Sequence, residues 1–217
     1  MTPTPRTLVL TLDGATVAAR LADARVVHTL PTHSTDLPAF TPHPEADTLA
    51  FDPRLFMAAV EGSLLALCGE GAGQGVDAIL IETTARSLVG IGRENVLATE
   101  ALVHRAGPLD PPTRMIAPAT AREVRRWVGL GALVVRFLSR EWIDLLGRAP
   151  AGIPVLSDTL DYPRDRALFA DLGVRLAACP ILVPATGVLA QVKPEQARRL
   201  GLPDFTPIFA AAIAPPA

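Results

Sequence analysis

The chain has 217 residues, 49% of them hydrophobic and 19% charged, enough for one well-filled core or two small ones. Its 20 basic and 22 acidic residues leave a net charge of -2, which removes the bulk electrostatic case for nucleic acid or an anionic membrane surface as partner. Lys193 is the only lysine, so the glycines of Gly69–Gly75 cannot belong to a lysine-bearing phosphate loop.

Thr7 to Leu21 opens the chain as two apolar runs around Asp13-Gly14-Ala15-Thr16. Asp-Gly between such runs is a strong hairpin signal. A turn of small residues also leaves backbone N–H groups free to cradle phosphate. The hairpin by itself therefore allows two readings, a plain start to a sheet or a phosphate grip. Arg6–Leu12, Val17–Leu21 and Arg25–Leu30 are expected to pair as an antiparallel three-strand meander. Pro31–Pro44 is rich in Pro, Thr and His and is expected to carry no regular structure.

Asp52-Pro53 has the form of a helix start, with Asp as cap and Pro in the first turn. Phe56, Val60, Leu64 and Leu67 then recur on one helical face until Gly69–Gly75. Val76 to Ile81 reads as a strand buried on both faces. One or two strands are expected around Arg93-Glu94-Asn95. Thr120 to Glu123 has the pattern of a capping box opening a helix to Trp127. Gly129 and Gly131 interrupt, and Leu133–Phe137 reads as a short strand. Ser139 is expected to cap a helix to Leu146, and Pro163 to start another reaching Leu172. Ile181–Val192 is apolar with a break at residues 184–187. Lys193-Pro194 starts a last helix stopped by Gly201, and Pro207–Ile213 reads as a closing strand. No internal repeat or linker divides the chain, so residues 1–217 form one α/β domain with a mixed sheet.

Cys68 and Cys179 are far apart with no metal spacing, and His28, His33, His43 and His104 make no paired-ligand pattern. Two inert thiols in a reducing compartment are expected. Neither a signal peptide nor an uninterrupted apolar stretch of membrane length is evident, so the expected location is cytoplasmic. Two polar clusters remain. Glu82-Thr83-Thr84-Ala85-Arg86 follows the carboxyl end of the buried strand, where ligands bind in open α/β sheets, or is an ordinary strand-to-loop transition. Asp158 and Asp161 are a carboxylate pair suited to Mg²⁺ or proton chemistry, although an Asx turn before a helix uses the same residues more often.

The order of motifs along the chain resembles the N-terminal domain of the FGGY family of carbohydrate kinases. The resemblance runs through Gly187 to Ala190, Val192 to Glu195, Ala197, Gly201 to Pro203 and Thr206 to Ile208, against the family's "G-x-V-x-P-E-A-A-x-x-x-G-L-x-x-G-T-P-V". Leu172-Gly173-Val174 looks like the end of the helix before it. Val17 to Asp23 looks like the second half of the opening "D-x-G-T-T-S-x-(K/R)-A-x-x-x-D". Asp52-Pro53 looks like the family's "E-x-D-P", and Leu109 to Pro111 with Ala117-Pro118 like its "L-D-P…A-P-K".

The resemblance implies a ribonuclease-H-like domain of the actin and hexokinase superfamily with flanking helices. It also implies ATP- and Mg²⁺-dependent phosphoryl transfer to a sugar or polyol hydroxyl, which depends on positioning and charge neutralisation. On it, Thr11, Asp13, Gly14, Ala15 and Thr16 are the phosphate-side residues and Asp13 the metal ligand. Thr84, Ala85, Arg86 and Glu100 are the substrate-side residues. Thr11 falls where the family carries its Mg²⁺-linked aspartate, and Ala98 to Glu100 where it carries "W-x-D-x-R". After Pro207-Ile208 the chain reads Phe209 to Ala217 without the catalytic aspartate or an adenosine-binding domain. The expectations are therefore a sugar-binding kinase half completed by a C-terminal partner chain, or a non-catalytic sugar-binding, regulatory or assembly protein. Its apolar final strand also allows a homodimer.

Overall fold

A computed structural model describes residues 5–12, 16–22, 24–31, 33–34, 48–83, 86–104, 123–145, 181–183 and 187–212. The chain opens with β1 (Thr7–Leu12), β2 (Thr16–Leu21) and β3 (Ala24–Thr29). They pair antiparallel, Leu10 opposite Ala19 and Ala19 opposite Val26, giving the expected meander. β1 is buried on both faces, β2 alternates, and β3 is largely exposed. That gradient marks β1 as a central strand and β3 as an edge. β4 (His33–Ser34) pairs with β5 (Thr48–Phe51), so a short ladder forms inside the segment expected to lack regular structure. Two backbone rungs with Leu49 and Ala50 suffice to override its Pro-rich composition.

α1 (Pro53–Cys68) follows β5 directly. The Asp52 carboxylate accepts from the Arg54 backbone N–H at 2.9 Å, and Pro53 occupies the first turn. The Arg54 side chain also donates to Asp52, and these bonds hold the Asp52 carboxyl below its ordinary range. Phe56, Val60, Leu64 and Leu67 are buried as the helical spacing requires, and α1 packs across β2 and β3. The segment Pro53–Gly75 has the length and mean hydropathy of a bilayer-crossing helix, but Arg54, Glu61 and Glu70 interrupt it, and its apolar face lies in the core. Gly69–Gly75 forms a tight 3-10 stretch leading to β6 (Ala78–Thr83).

β6 lies parallel to β1, with Leu10 opposite Ile81. On its other side runs β13 (Pro207–Ala212), also parallel, and β12 (Ala190–Gln191) closes that edge. The six-stranded order is β12-β13-β6-β1-β2-β3. A second sheet combines β4 and β5 with β7 (Arg86–Ile91), β8 (Ala101–His104) and β9 (Arg126–Val128), in the order β4-β5-β8-β7-β9. β10 (Ile143–Leu145) and β11 (Ile181–Val183) form a parallel pair.

Three expectations between residues 120 and 147 are overturned. Arg126–Val128 is strand β9 rather than the end of a helix, because it completes the edge of β7. Leu133–Phe137 lies inside α2 (Leu130–Ser139), not in a strand. Gly129 supplies no capping side chain; instead Ser87 on β7 accepts from the Leu130 N–H at 2.9 Å in a buried setting. This satisfies one of the donors that a helix start leaves open. Ser139 ends α2 rather than starting a helix, its hydroxyl donating to the Val135 carbonyl at 2.7 Å. α3 (Pro194–Leu200) ends at Gly201 as expected. α1, α2 and α3 pack on one another. The expected helix at Pro163–Leu172 and the Asp158–Asp161 pair lie outside the described residues.

Candidate functional site

The parallel strands β1, β6 and β13 end side by side. Their register sets Thr11 opposite Glu82, and Glu82 opposite Ala211. Successive side chains alternate across a strand, so Thr11 and Glu82 stand on the face opposite Leu10 and Ile81, which are at most 1% exposed. The Thr11 hydroxyl donates to Glu82 Oε2 at 2.9 Å. Both side chains are half-buried. The second Glu82 oxygen, Oε1, accepts no hydrogen bond among the described residues. A carboxylate anchored through one oxygen and open at the other can accept from a ligand hydroxyl or hold one position of a hydrated cation.

The start of α2 abuts this strand end. A Cβ on Gly131 would lie 3.2 Å from the Thr83 methyl, so glycine there lets the helix approach β6. Gly129 and Leu130 bring the helix's first N–H groups beside the same edge.

The predicted site residues distribute unevenly. Thr11 is in the Glu82 pair, and Thr16 begins β2 opposite Thr29. Asp13, Gly14, Ala15, Thr84 and Ala85 lie outside the described residues. Arg86 opens β7 opposite His104, while Glu100 just precedes β8. Glu100 lies four positions before His104, so at strand rise the backbones of Arg86 and Glu100 stand about 13 Å apart along the ladder. Glu82 opened the polar cluster that the sequence marks at the carboxyl end of this strand, but it was given no role of its own. What the linear sequence lacked was the register that puts it against Thr11.

No cluster of three or more His, Cys, Asp or Glu side chains with metal-binding geometry occurs among the described residues. Glu82 alone suits Mg²⁺ bound mostly through water and phosphate oxygens, the usual mode for this ion at nucleotide sites.

A mixed sheet with an N-terminal meander, crossed by α1 and flanked by helices, is a fold this chain shares with solved carbohydrate kinases. Solved structures with this arrangement include a ligand-bound xylulose kinase from Lactobacillus acidophilus, with TM-score 0.71 and 17% identity over 96% of this chain. A xylulose kinase from Rhodospirillum rubrum gives 0.72 and 16% over 95%, and a gluconate kinase from Lactobacillus acidophilus 0.70 and 17% over 95%. The chain spans about half the length of these proteins, 48% of the first and 49% of the second. No family model and no curated protein sequence matches it.

Proposed function

We infer that the chain is the sugar-binding half of an ATP-dependent carbohydrate kinase, acting on a hydroxyl of a sugar or polyol in the cytoplasm. The observation that carries this reading is the Thr11–Glu82 pair at the carboxyl ends of parallel strands, in a fold shared with xylulose and gluconate kinases. In this reading Asp13 to Thr16 face phosphate with Asp13 as the Mg²⁺ ligand, and Glu82 accepts from a sugar hydroxyl. Thr84, Ala85, Arg86 and Glu100 serve the sugar side. ATP supplies the phosphoryl group, and a separate C-terminal half supplies the adenosine site and the base.

Thermal shift and calorimetry with xylulose, gluconate and simple polyols test the reading. At least one is expected to stabilise the chain, with Glu82→Ala abolishing the shift while leaving the unliganded melting temperature near that of the parent. If none binds, the sugar-binding reading fails. Binding that persists unchanged in Glu82→Ala moves the site elsewhere on the fold. Binding without turnover, even with an added C-terminal kinase half, favours a non-catalytic sugar-binding protein instead.

A further inference from the structure

A second feature stands apart from the Thr11–Glu82 end of the sheet. Trp142, between α2 and β10, carries two guanidinium groups over its indole, Arg126 from β9 at 5.5 Å and Arg136 from α2 at 5.4 Å. The indole N–H donates to Asn95 Oδ1 at 3.2 Å, which fixes the ring against the turn between β7 and β8. Glu94 and Asn95 in that turn have φ of 56° and 62°. Two successive side-chain-bearing residues in the left-handed region are uncommon and persist where surrounding contacts hold them.

All three side chains are half-buried, yet neither guanidinium makes a hydrogen bond or ion pair among the described residues. Among the described side chains the neighbouring acids do not compensate them: Glu141 pairs with Lys193, and Glu94 and Glu123 pair with neither arginine. Cation–π attraction to one ring offsets part of the cost, but two like charges withdrawn from water around one indole still repel. Burial and the nearby Arg136 charge both push the Arg126 guanidinium below its ordinary value. Each guanidinium keeps five N–H donors in a planar fork matched to oxyanions. We propose that Arg126 and Arg136, held by Trp142, form a binding site for a phosphate-type oxyanion, the charged group of a phosphorylated small molecule. α2 links this site to the other one, since Gly131 near its start touches Thr83 and Arg136 lies near its end.

Trp127 and Trp142 are the two tryptophans, so a Trp127→Phe chain reports on Trp142 alone. Inorganic phosphate is expected to change its fluorescence saturably, while sodium chloride at matched ionic strength does not. Arg126→Gln and Arg136→Gln should each weaken the response about ten-fold. A parallel malonate titration separates carboxylate from phosphate chemistry, and malonate binding more tightly overturns the phosphate assignment. Independently of any variant, phosphate should slow phenylglyoxal labelling of Arg126 and Arg136 in the parent chain, read by mass spectrometry, and leave exposed Arg54 unchanged. Absence of saturable fluorescence, or equal labelling with and without phosphate, overturns the site.

Discussion

The Thr11 hydroxyl supplies the one hydrogen bond that Glu82 receives from the described residues. Thr11→Val keeps the side-chain shape and removes that donor from a half-buried carboxylate. The expected cost is about 1 kcal/mol, measured by urea unfolding. No loss would show that water replaces the hydroxyl fully. Cys68 sits at 0% exposure, and burial pushes its thiol up to about 11, only slightly opposed by the Arg6 charge. It should resist thiol reagents in the folded chain at about pH 8 and react only on unfolding. The sign of its pH effect follows. Unfolding lowers its value toward 9.0, so the stability from keeping the thiol neutral is whole below 9.0 and is lost as pH rises toward 11. Asp52 acts in the opposite sense, because its value is lowered in the folded chain: its contribution holds above 3.8 and fades as pH falls through its folded value. At this scale the sequence was a partial guide. Thr11 was in the predicted set, but Glu82 gains meaning only from a neighbour 71 residues away.

Among elements, those whose signals lie within themselves were the readable ones. Asp52-Pro53 and the spacing of Phe56, Val60 and Leu64 were enough to place α1, and Pro194 and Gly201 enough to place α3. α2 was misread because its start is capped by Ser87 from another strand and its Val134 and Val135 favour strands in isolation. β9 was misread for the converse reason, since only the edge of β7 makes it a strand. Gly201 shows how closely the elements are fitted. Its φ is +72°, and a Cβ there would lie 2.5 Å from the Cys68 carbonyl oxygen at the end of α1. Gly201→Ala should therefore destabilise by about 2 kcal/mol or more, from left-handed strain plus separation of α1 and α3. Calorimetric melting checks this, and a neutral result would mean the α3 end relaxes freely.

Across the described residues, one apolar cluster joins the six-stranded sheet to α1, α2 and α3, with Phe56 fully buried in it beside Phe51. Phe56→Ala is expected to cost about 3–5 kcal/mol, and chemical denaturation should show one transition moving as a unit. Two separate transitions would mean the sheets unfold independently. The fold class was legible from motif order alone, because at 17% identity the strand, helix and turn signals still follow the fold of the solved xylulose kinase over 96% of this chain.

The Thr11–Glu82 rung has a consequence for finding relatives. Its chemistry is written across two strands rather than along one, so a search for a short acidic signature in the first strand passes over chains built this way. Positions 11 and 82 should instead be scored as a pair. Relatives with a carboxylate at the first are expected to carry a smaller residue at the second, and those with a hydroxyl at the first to keep the acid at the second. A set of homologues in which the two positions vary independently would show that the rung is not a functional unit.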